Sequence, residues 1–182
     1  QQWLDKPLGR LKEGNLLVHD PIDARIHKHP LISFINQVQL YFADKAQLSS
    51  QALFNESVGF NSEITMRDLV STYVYSNTLK ALRMNGKVLK EYLEKSAEYF
   101  DAEDGKVVLN RVFYDPKPMH FNYEMVDGLD YTIKSSNPIG SRIVEMVYQG
   151  KPVEETDEFV MVMSSYRANG GGEFDMVKNC EV

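Results

Sequence analysis

An unbroken apolar run, Phe159-Val160-Met161-Val162-Met163, stops at Ser164-Ser165-Tyr166-Arg167-Ala168-Asn169 and three glycines, Gly170-Gly171-Gly172. Such a run reads as a buried strand, which requires a core around it. An aromatic ring, a guanidinium and an amide thus fall at a strand end, just ahead of residues that allow positive φ and close approach of other groups. Strand ends followed by such loops are common places for ligands. The stretch also fits a flexible turn with a surface tyrosine, and a glycine motif alone does not separate the two readings.

The 182 residues fit one domain, or one plus a short arm. A core of that size needs no staples. The net charge of −6 and the lack of a long basic run argue against nucleic-acid polymers and anionic membrane surfaces as partners, but leave small anionic ligands open. Cys180 is the single cysteine, which excludes an intrachain disulfide and reads as an inert tail thiol. The 182 residues carry no signal-peptide pattern and no apolar run long enough to span a bilayer, and a signal peptide already removed would not show. A chain starting at Gln1 without Met is expected to be a trimmed product or an excised domain.

Residues 1–8, with Trp3 and Leu4, read as an interdomain linker or docking arm, and 9–182 as the domain proper. A short strand is expected near Leu16-Leu17-Val18 and a loop from His19 to Pro30. Leu31, Phe34, Ile35, Val38, Tyr41 and Phe42 recur at helical spacing, predicting an amphipathic helix over 30–46 with Asn36, Gln37 and Gln39 mostly off its apolar stripe. Ser50 to Phe54 reads as a strand. Thr65 and Asp68 resemble a capping box opening a short helix with Met66, Leu69, Val70 and Tyr73 on its inner face. Leu79, Ala81 and Met84 alternate as a strand up to Asn85-Gly86, a turn dipeptide. A helix over 87–100 buries Leu89, Tyr92, Leu93 and Ala97 and solvates Lys90, Glu91, Glu94 and Glu98. The last third reads as β, with strands at 120–125, 131–134, 143–148 and 159–163.

No HExxH, GxSxG, Walker loop, CxxC or dinucleotide fingerprint occurs, and no acid–base pair stands out among the scattered carboxylates. His27-Lys28-His29 would clamp a metal only with a third ligand nearby, and none is evident. Two stretches share one character instead: Tyr75-Ser76-Asn77 and Tyr166-Arg167-Ala168-Asn169 each set a tyrosine beside hydrogen-bonding groups at an element boundary. Two facing tyrosines accept a flat heteroaromatic ring, worth roughly 1–3 kcal/mol per stacked base. An asparagine amide can read a purine edge. Core tyrosines with capped hydroxyls are the competing reading.

Residues 65–99, through Thr65-Met66-Arg67-Asp68, Tyr75-Ser76-Asn77 and Asn85-Gly86-Lys87-Val88, resemble the C-terminal domain of the bacterial 5′-nucleotidase family. So do Asn122-Tyr123 to Tyr131, Pro138-Ile139-Gly140-Ser141-Arg142-Ile143, Gly150-Lys151-Pro152 and Ser165 to Gly171, and His29-Pro30 to Gln47 fits the family's first helix. The tyrosine-containing versions look most like the branch of 2′,3′-cyclic-nucleotide 2′-phosphodiesterase/3′-nucleotidases. Two departures favour that branch over strict 5′-nucleotidases: Phe54-Asn55-Glu56-Ser57-Val58 where many carry Gly-Gly-Ile-Arg, and Glu173 where they place an aspartate near Gly172.

The resemblance implies an α+β fold, a four-layer α/β/β/α arrangement with mixed sheets. It implies a nucleoside or nucleotide as ligand, with the base between Tyr75 and Tyr166, Asn77 on the base edge, and Gly170, Gly171 and Gly172 by the ribose. Arg167 and Asn169 are further candidates for substrate binding, and Asn55 another. Catalysis and two divalent metal ions are expected in an N-terminal metallophosphoesterase domain of the same polypeptide, whose Asn-His-Asp/Glu and Gly-His-x-His motifs do not occur here. This domain itself is expected to bind no cofactor and, alone, to be inactive. A periplasmic, cell-wall or secreted location follows from the resemblance alone. The same domain of a 5′-nucleotidase or UDP-sugar hydrolase is the first alternative, and a non-enzymatic interaction module with structural tyrosines the second.

Overall fold

The computed structural model describes residues 3–55 and 57–182; Gln1, Gln2 and Glu56 lie outside the described residues, and with them the start of the expected arm and the middle of the 54–58 departure. The first part of the chain forms β1 (Pro7–Arg10), β2 (Leu16–Leu17), α1 (Asp23–Ile26), α2 (Pro30–Phe42), β3 (Leu48–Ala52), β4 (Gly59–Phe60), β5 (Glu63–Thr65) and α3 (Met66–Thr72). Then come β6 (Leu79–Asn85), α4 (Gly86–Ala97), β7 (Phe100–Glu103), β8 (Lys106–Leu109) and β9 (Glu124–Asp127). β10 (Asp130–Ile133), β11 (Ile143–Tyr148), β12 (Lys151–Pro152), β13 (Glu158–Ser164) and α5 (Ser165–Ala168) complete it.

The central sheet is mixed, in the order β6-β13-β3-β9. β13 runs antiparallel to β6 and parallel to β3, which is antiparallel to β9. β13 is therefore an inner strand, and its unbroken apolar sequence reflects cover on both faces. On one face Leu48, Leu82, Met84, Val126, Met161 and Met163 pack with Leu89, Tyr92, Leu93 and Ala97 of α4. The antiparallel sheet β10-β11-β12 adds Ile143, Tyr131, Met146 and Tyr148 to the same core. Each fully buried aliphatic side chain there contributes roughly 1.5–3 kcal/mol. α2 covers the other face. The chain is thus α+β with a mixed sheet at its centre, in keeping with the layered fold that the resemblance implies.

The contact between α2 and the sheet corrects the expected apolar stripe. Leu31, Ile32, Asn36 and Gln39 are the buried residues, whereas Val38, Tyr41 and Phe42 are exposed. The reason is the strand opposite: Ser49 Oγ donates to Asn36 Oδ1 at 2.8 Å, and Gln39 Nε2 donates to Gln51 Oε1 at 2.9 Å. Asn36 Nδ2 also reaches Met125 O and Asp127 Oδ2. Asn36 is thus bonded through both of its amide atoms, which lets it be buried, while Gln39 uses its Nε2 and leaves Oε1 without a partner among the described residues. The helix ends at Phe42, short of 46.

Other boundaries shift for local reasons. The expected 19–30 loop contains the single turn α1, whose first N–H groups are held by Asp20 Oδ1. The strand placed at 50–54 is 48–52. The capping box forms: Thr65 Oγ1 accepts from Asp68 N, and Asp68 accepts from Thr65 N at 2.8 Å. Leu69 and Val70 beyond it are exposed, not inward-facing. Asn85-Gly86 is a helix start, not a hairpin turn. Asn85 Oδ1 caps α4 by accepting from Val88 N at 2.9 Å, and Gly86 is pressed so close to Glu154 O that a Cβ has no room. Glu94, assigned to the solvated face, is buried and accepts from Arg142 N at 2.8 Å and Ile143 N at 2.9 Å. Of the arm, Pro7 and Leu8 belong to β1, which pairs with β5, while Trp3 is exposed.

Candidate functional site

The antiparallel register of β6 and β13 sets the site. Ser164, the last residue of β13, pairs with Leu79, the first of β6. Both tyrosine stretches consequently leave the sheet at the same end. Ser165 N donates to Thr78 O at 2.7 Å, and Thr78 N donates to Ser165 Oγ at 3.2 Å, which ties the two exits together. Ser164 Oγ accepts from Arg167 N at 3.3 Å and turns the chain into α5, which carries Tyr166.

Between these exits lies a cavity of about 310 Å³ lined by Tyr75, Asn77, Tyr166, Phe54 and Phe121, with Ser76 and Ser164 beside them. Each tyrosine has an aromatic buttress. Phe54 meets Tyr75 edge-on, with centroids 5.2 Å apart and planes at 90°, and Phe121 meets Tyr166 at 6.3 Å and 73°. Edge-to-face pairs of this kind add to burial and hold the rings in place. Tyr75 and Tyr166 themselves remain 52% and 45% exposed, so their faces are available to a ligand. Asn77 is half-buried; its backbone N–H donates to Tyr75 O at 2.9 Å, and among the described residues its side-chain amide has no hydrogen-bond partner. A larger cavity of about 410 Å³ near β10, around Lys28, Tyr131 and Thr132, is lined by none of the expected residues.

The cavity floor is ionic. Arg167 and Glu124 are only 1% and 5% exposed, and Arg167 Nε donates to Glu124 Oε1 at 2.8 Å. The other Arg167 N–H groups point at Gly171 O, Phe121 O and Asn122 Oδ1, and its guanidinium stacks 3.9 Å from the Phe174 ring centroid. A guanidinium has five N–H donors, and all are directed at the chain itself. Arg167, expected at the ligand, lines the cavity and is at the same time the post that fixes Phe121 and the glycine loop. Glu124 Oε2 accepts from Ser50 Oγ at 2.7 Å, and Ser50 Oγ lies 2.8 Å from Tyr92 Oη. Burial first, and then the Glu124 charge, push the Tyr92 hydroxyl well above the ordinary phenol range, and Tyr73 in the same direction.

The remaining expected residues sit outside the cavity lining. Asn169 Oδ1 accepts from Lys80 Nζ at 3.3 Å. Gly170, Gly171 and Gly172 answer to the chain's own groups. A Cβ on Gly171 would lie 2.5 Å from Tyr166 Cζ, one on Gly170 would meet the Lys178 side chain, and one on Gly172 would run into Asn122 Oδ1. The approach of Tyr166, Lys178 and Asn122 is enough to demand glycine at these positions. Asn55 is likewise used internally: it donates to Pro118 O and accepts from His120 N, which clamps two loops.

Three lining residues escaped sequence reasoning: Phe54, Phe121 and Glu124. Phe54 carried a usable signal, an aromatic at the end of the strand expected at 50–54, the same placement that marked Tyr166. Glu124, a carboxylate inside the stretch read as the 120–125 strand, was another.

Among the described residues no group of three or more His, Cys, Asp and Glu is placed to hold a metal ion. His27 is exposed and lies 3.4 Å from Asp23, and His29 Nδ1 accepts from Leu31 N to cap α2. Nor is any helix of the described residues long and apolar enough to cross a membrane. Two aromatic walls, an amide at the side and a carboxylate at the floor make up the cavity.

The chain is similar to known proteins over nearly its whole length. A family model described as "5'-nucleotidase, C-terminal domain" matches residues 8–179. A 2′,3′-cyclic-nucleotide 2′-phosphodiesterase/3′-nucleotidase of Salmonella typhimurium is 30% identical over 213 residues, covering 94% of this chain and 31% of that protein. One of Haemophilus influenzae is 29% identical over 204 residues, covering 93% and 30%. A solved Staphylococcus aureus protein assigned as a 5′-nucleotidase, in complex with alpha-ketoglutarate, superposes with a TM-score of 0.95 at 37% identity, covering 100% of this chain and 35% of that one. The chain therefore spans about a third of the length of these relatives.

Proposed function

The chain belongs to the 5′-nucleotidase C-terminal domain family, and we propose that it is the nucleoside-binding part of a metal-dependent nucleotide phosphohydrolase acting on 2′,3′-cyclic nucleotides and 3′-nucleotides. The observation that carries this reading is the meeting of Tyr75, Tyr166 and Asn77 at one cavity. A cavity of about 310 Å³ with mostly aromatic walls is within the range that takes a small organic ligand. The base stacks on the tyrosines, and Asn77 hydrogen-bonds its edge. Phosphoryl chemistry belongs to a metallophosphoesterase domain with two divalent metals, outside these residues. What this chain supplies is orientation: a held nucleoside presents its phosphate in one place, and that lowers the entropic part of the barrier.

Adenosine titrated into the chain is expected to shift the NMR signals around Tyr75 and Tyr166. Tyr75→Ala or Tyr166→Ala should each weaken binding by roughly 1–3 kcal/mol, the value of a base–aromatic stack. Millimolar adenosine that moved neither neighbourhood would refute the reading. The similarity to a protein assigned as a 5′-nucleotidase favours a second one, the same domain in a 5′-nucleotidase or UDP-sugar hydrolase. Relative kcat/KM on 3′-AMP, 2′,3′-cyclic AMP and 5′-AMP, measured on the longer polypeptide, separates the two.

A further inference from the structure

We infer that Glu124 selects the base: its carboxylate, at the cavity floor, takes nucleosides whose ring bears an exocyclic amino group and turns away those with a carbonyl in that place. The inference rests on the nucleoside reading of the same cavity. Glu124 lines that cavity together with Tyr75, Asn77 and Tyr166, yet is only 5% exposed. Its two oxygens accept from Arg167 Nε at 2.8 Å and Ser50 Oγ at 2.7 Å. A carboxylate ion-paired with a guanidinium offers about four lone-pair sites, and these two bonds leave acceptor capacity at the cavity that Glu124 lines.

The neighbours sharpen the point. Arg167, the one cation on the floor, directs its N–H groups at Glu124, Gly171, Phe121 and Asn122 and has none left for a ring carbonyl. Ser50 stands between Glu124 and Tyr92 and keeps the carboxylate from rotating away. Asn77 cannot discriminate in the same manner, because an amide presents a donor or an acceptor by turning over. The floor is thus acceptor-only, and it is fixed. An amino group of adenine or cytosine meets it as a donor, as Glu and Asp accept from amino groups of bases elsewhere. The carbonyl of hypoxanthine or uracil would set two acceptors face to face out of water. Sites built around one buried polar contact reject the analogue that lacks it more strongly than apolar pockets reject a missing methylene.

Titration calorimetry of the chain with two matched pairs tests this, adenosine against inosine and cytidine against uridine. The amino member of each pair is expected to bind at least about tenfold more tightly, the low end for a hydrogen bond to a charged group. Glu124→Gln, whose amide can also donate, should narrow or reverse both gaps. Asn77→Ala should weaken both members of a pair alike and leave the ratio unchanged. Equal affinities within each pair in the wild-type chain would overturn the inference and leave the nucleoside reading standing. A ratio that Asn77→Ala abolishes would also overturn it. If none of the four nucleosides bound, both readings would fall. Should Glu124→Gln not fold, the wild-type ratios and Asn77→Ala still decide.

Discussion

The ring of Tyr166 stands where Gly171 would carry a side chain: a Cβ there would lie 2.5 Å from Tyr166 Cζ. The glycine loop is therefore the back support of one aromatic wall of the cavity. Gly171→Ala must push that ring from its place, while the alanine itself meets no left-handed backbone, since Gly171 is not among the positive-φ glycines. Adenosine affinity is expected to fall about tenfold, or 1.4 kcal/mol. Calorimetry checks it, and an unchanged affinity would show that Tyr166 does not touch the ligand.

Arg167→Lys tests the buried post. Lysine keeps the charge but offers a point ammonium in place of a planar fork, so the bonds to Phe121 O, Gly171 O and Asn122 cannot all be remade around the Glu124 pair. Breaking up a buried, hydrogen-bonded ion pair costs about 3–5 kcal/mol. Urea unfolding should show a loss of that size for Arg167→Ala and a substantial part of it for Arg167→Lys.

Glu94→Ala probes a buried carboxylate on a helix that otherwise shows its acids to water. It removes the acceptor of Arg142 N and of Ile143 N, the first residue of β11. A buried donor without a partner costs about 1–3 kcal/mol. A lower urea midpoint with an unchanged slope is the expected result. Glu91→Ala, on the exposed face of the same helix, should change stability by less than about 0.5 kcal/mol.

The pH dependence of stability has a defined sign at His120. Burial first, and the Arg25 guanidinium second, hold its imidazole below the ordinary value of 6.5, and burial does the same to His29. The unfolded chain takes up these protons before the folded one, so stability is whole above about pH 6.5 and declines as pH falls toward the folded values. Thermal melts should show Tm dropping between about pH 7 and pH 5, with a shallower drop in His120→Asn. Equal slopes for the two proteins would remove His120 from the account. The absolute Tm of the variant will also change, because His120 Nδ1 shares a hydrogen bond of 2.7 Å with Tyr99 Oη.

Local pattern carried much of the fold. The strand at 158–164, the helix at 86–97 and the capping box at Thr65 are legible because each depends on neighbours within a few residues. The buried face of α2 was legible only in part: Leu31, Phe34 and Ile35 join the core, but the polar half of the face did not show. Its partner is β3, whose Ser49 and Gln51 offer hydrogen bonds that make Asn36 and Gln39 the inward residues and leave Tyr41 and Phe42 in water. Asn85-Gly86 reads locally as a turn, and the approach of Glu154 O makes it a helix start.

The chain by itself determined the class of fold, the family and the two tyrosines with Asn77, since residue type and spacing are local properties. Only the tertiary structure decided what surrounds them. The register of β6 on β13 brings Tyr75 and Tyr166 to one sheet end, and a register is a long-range pairing that no short window contains. The same folding turned Arg167 inward onto Glu124 and set Gly171 behind Tyr166. A guanidinium or a glycine looks alike in sequence whether it meets a ligand or the chain, and the difference is made by which atoms the fold brings within reach.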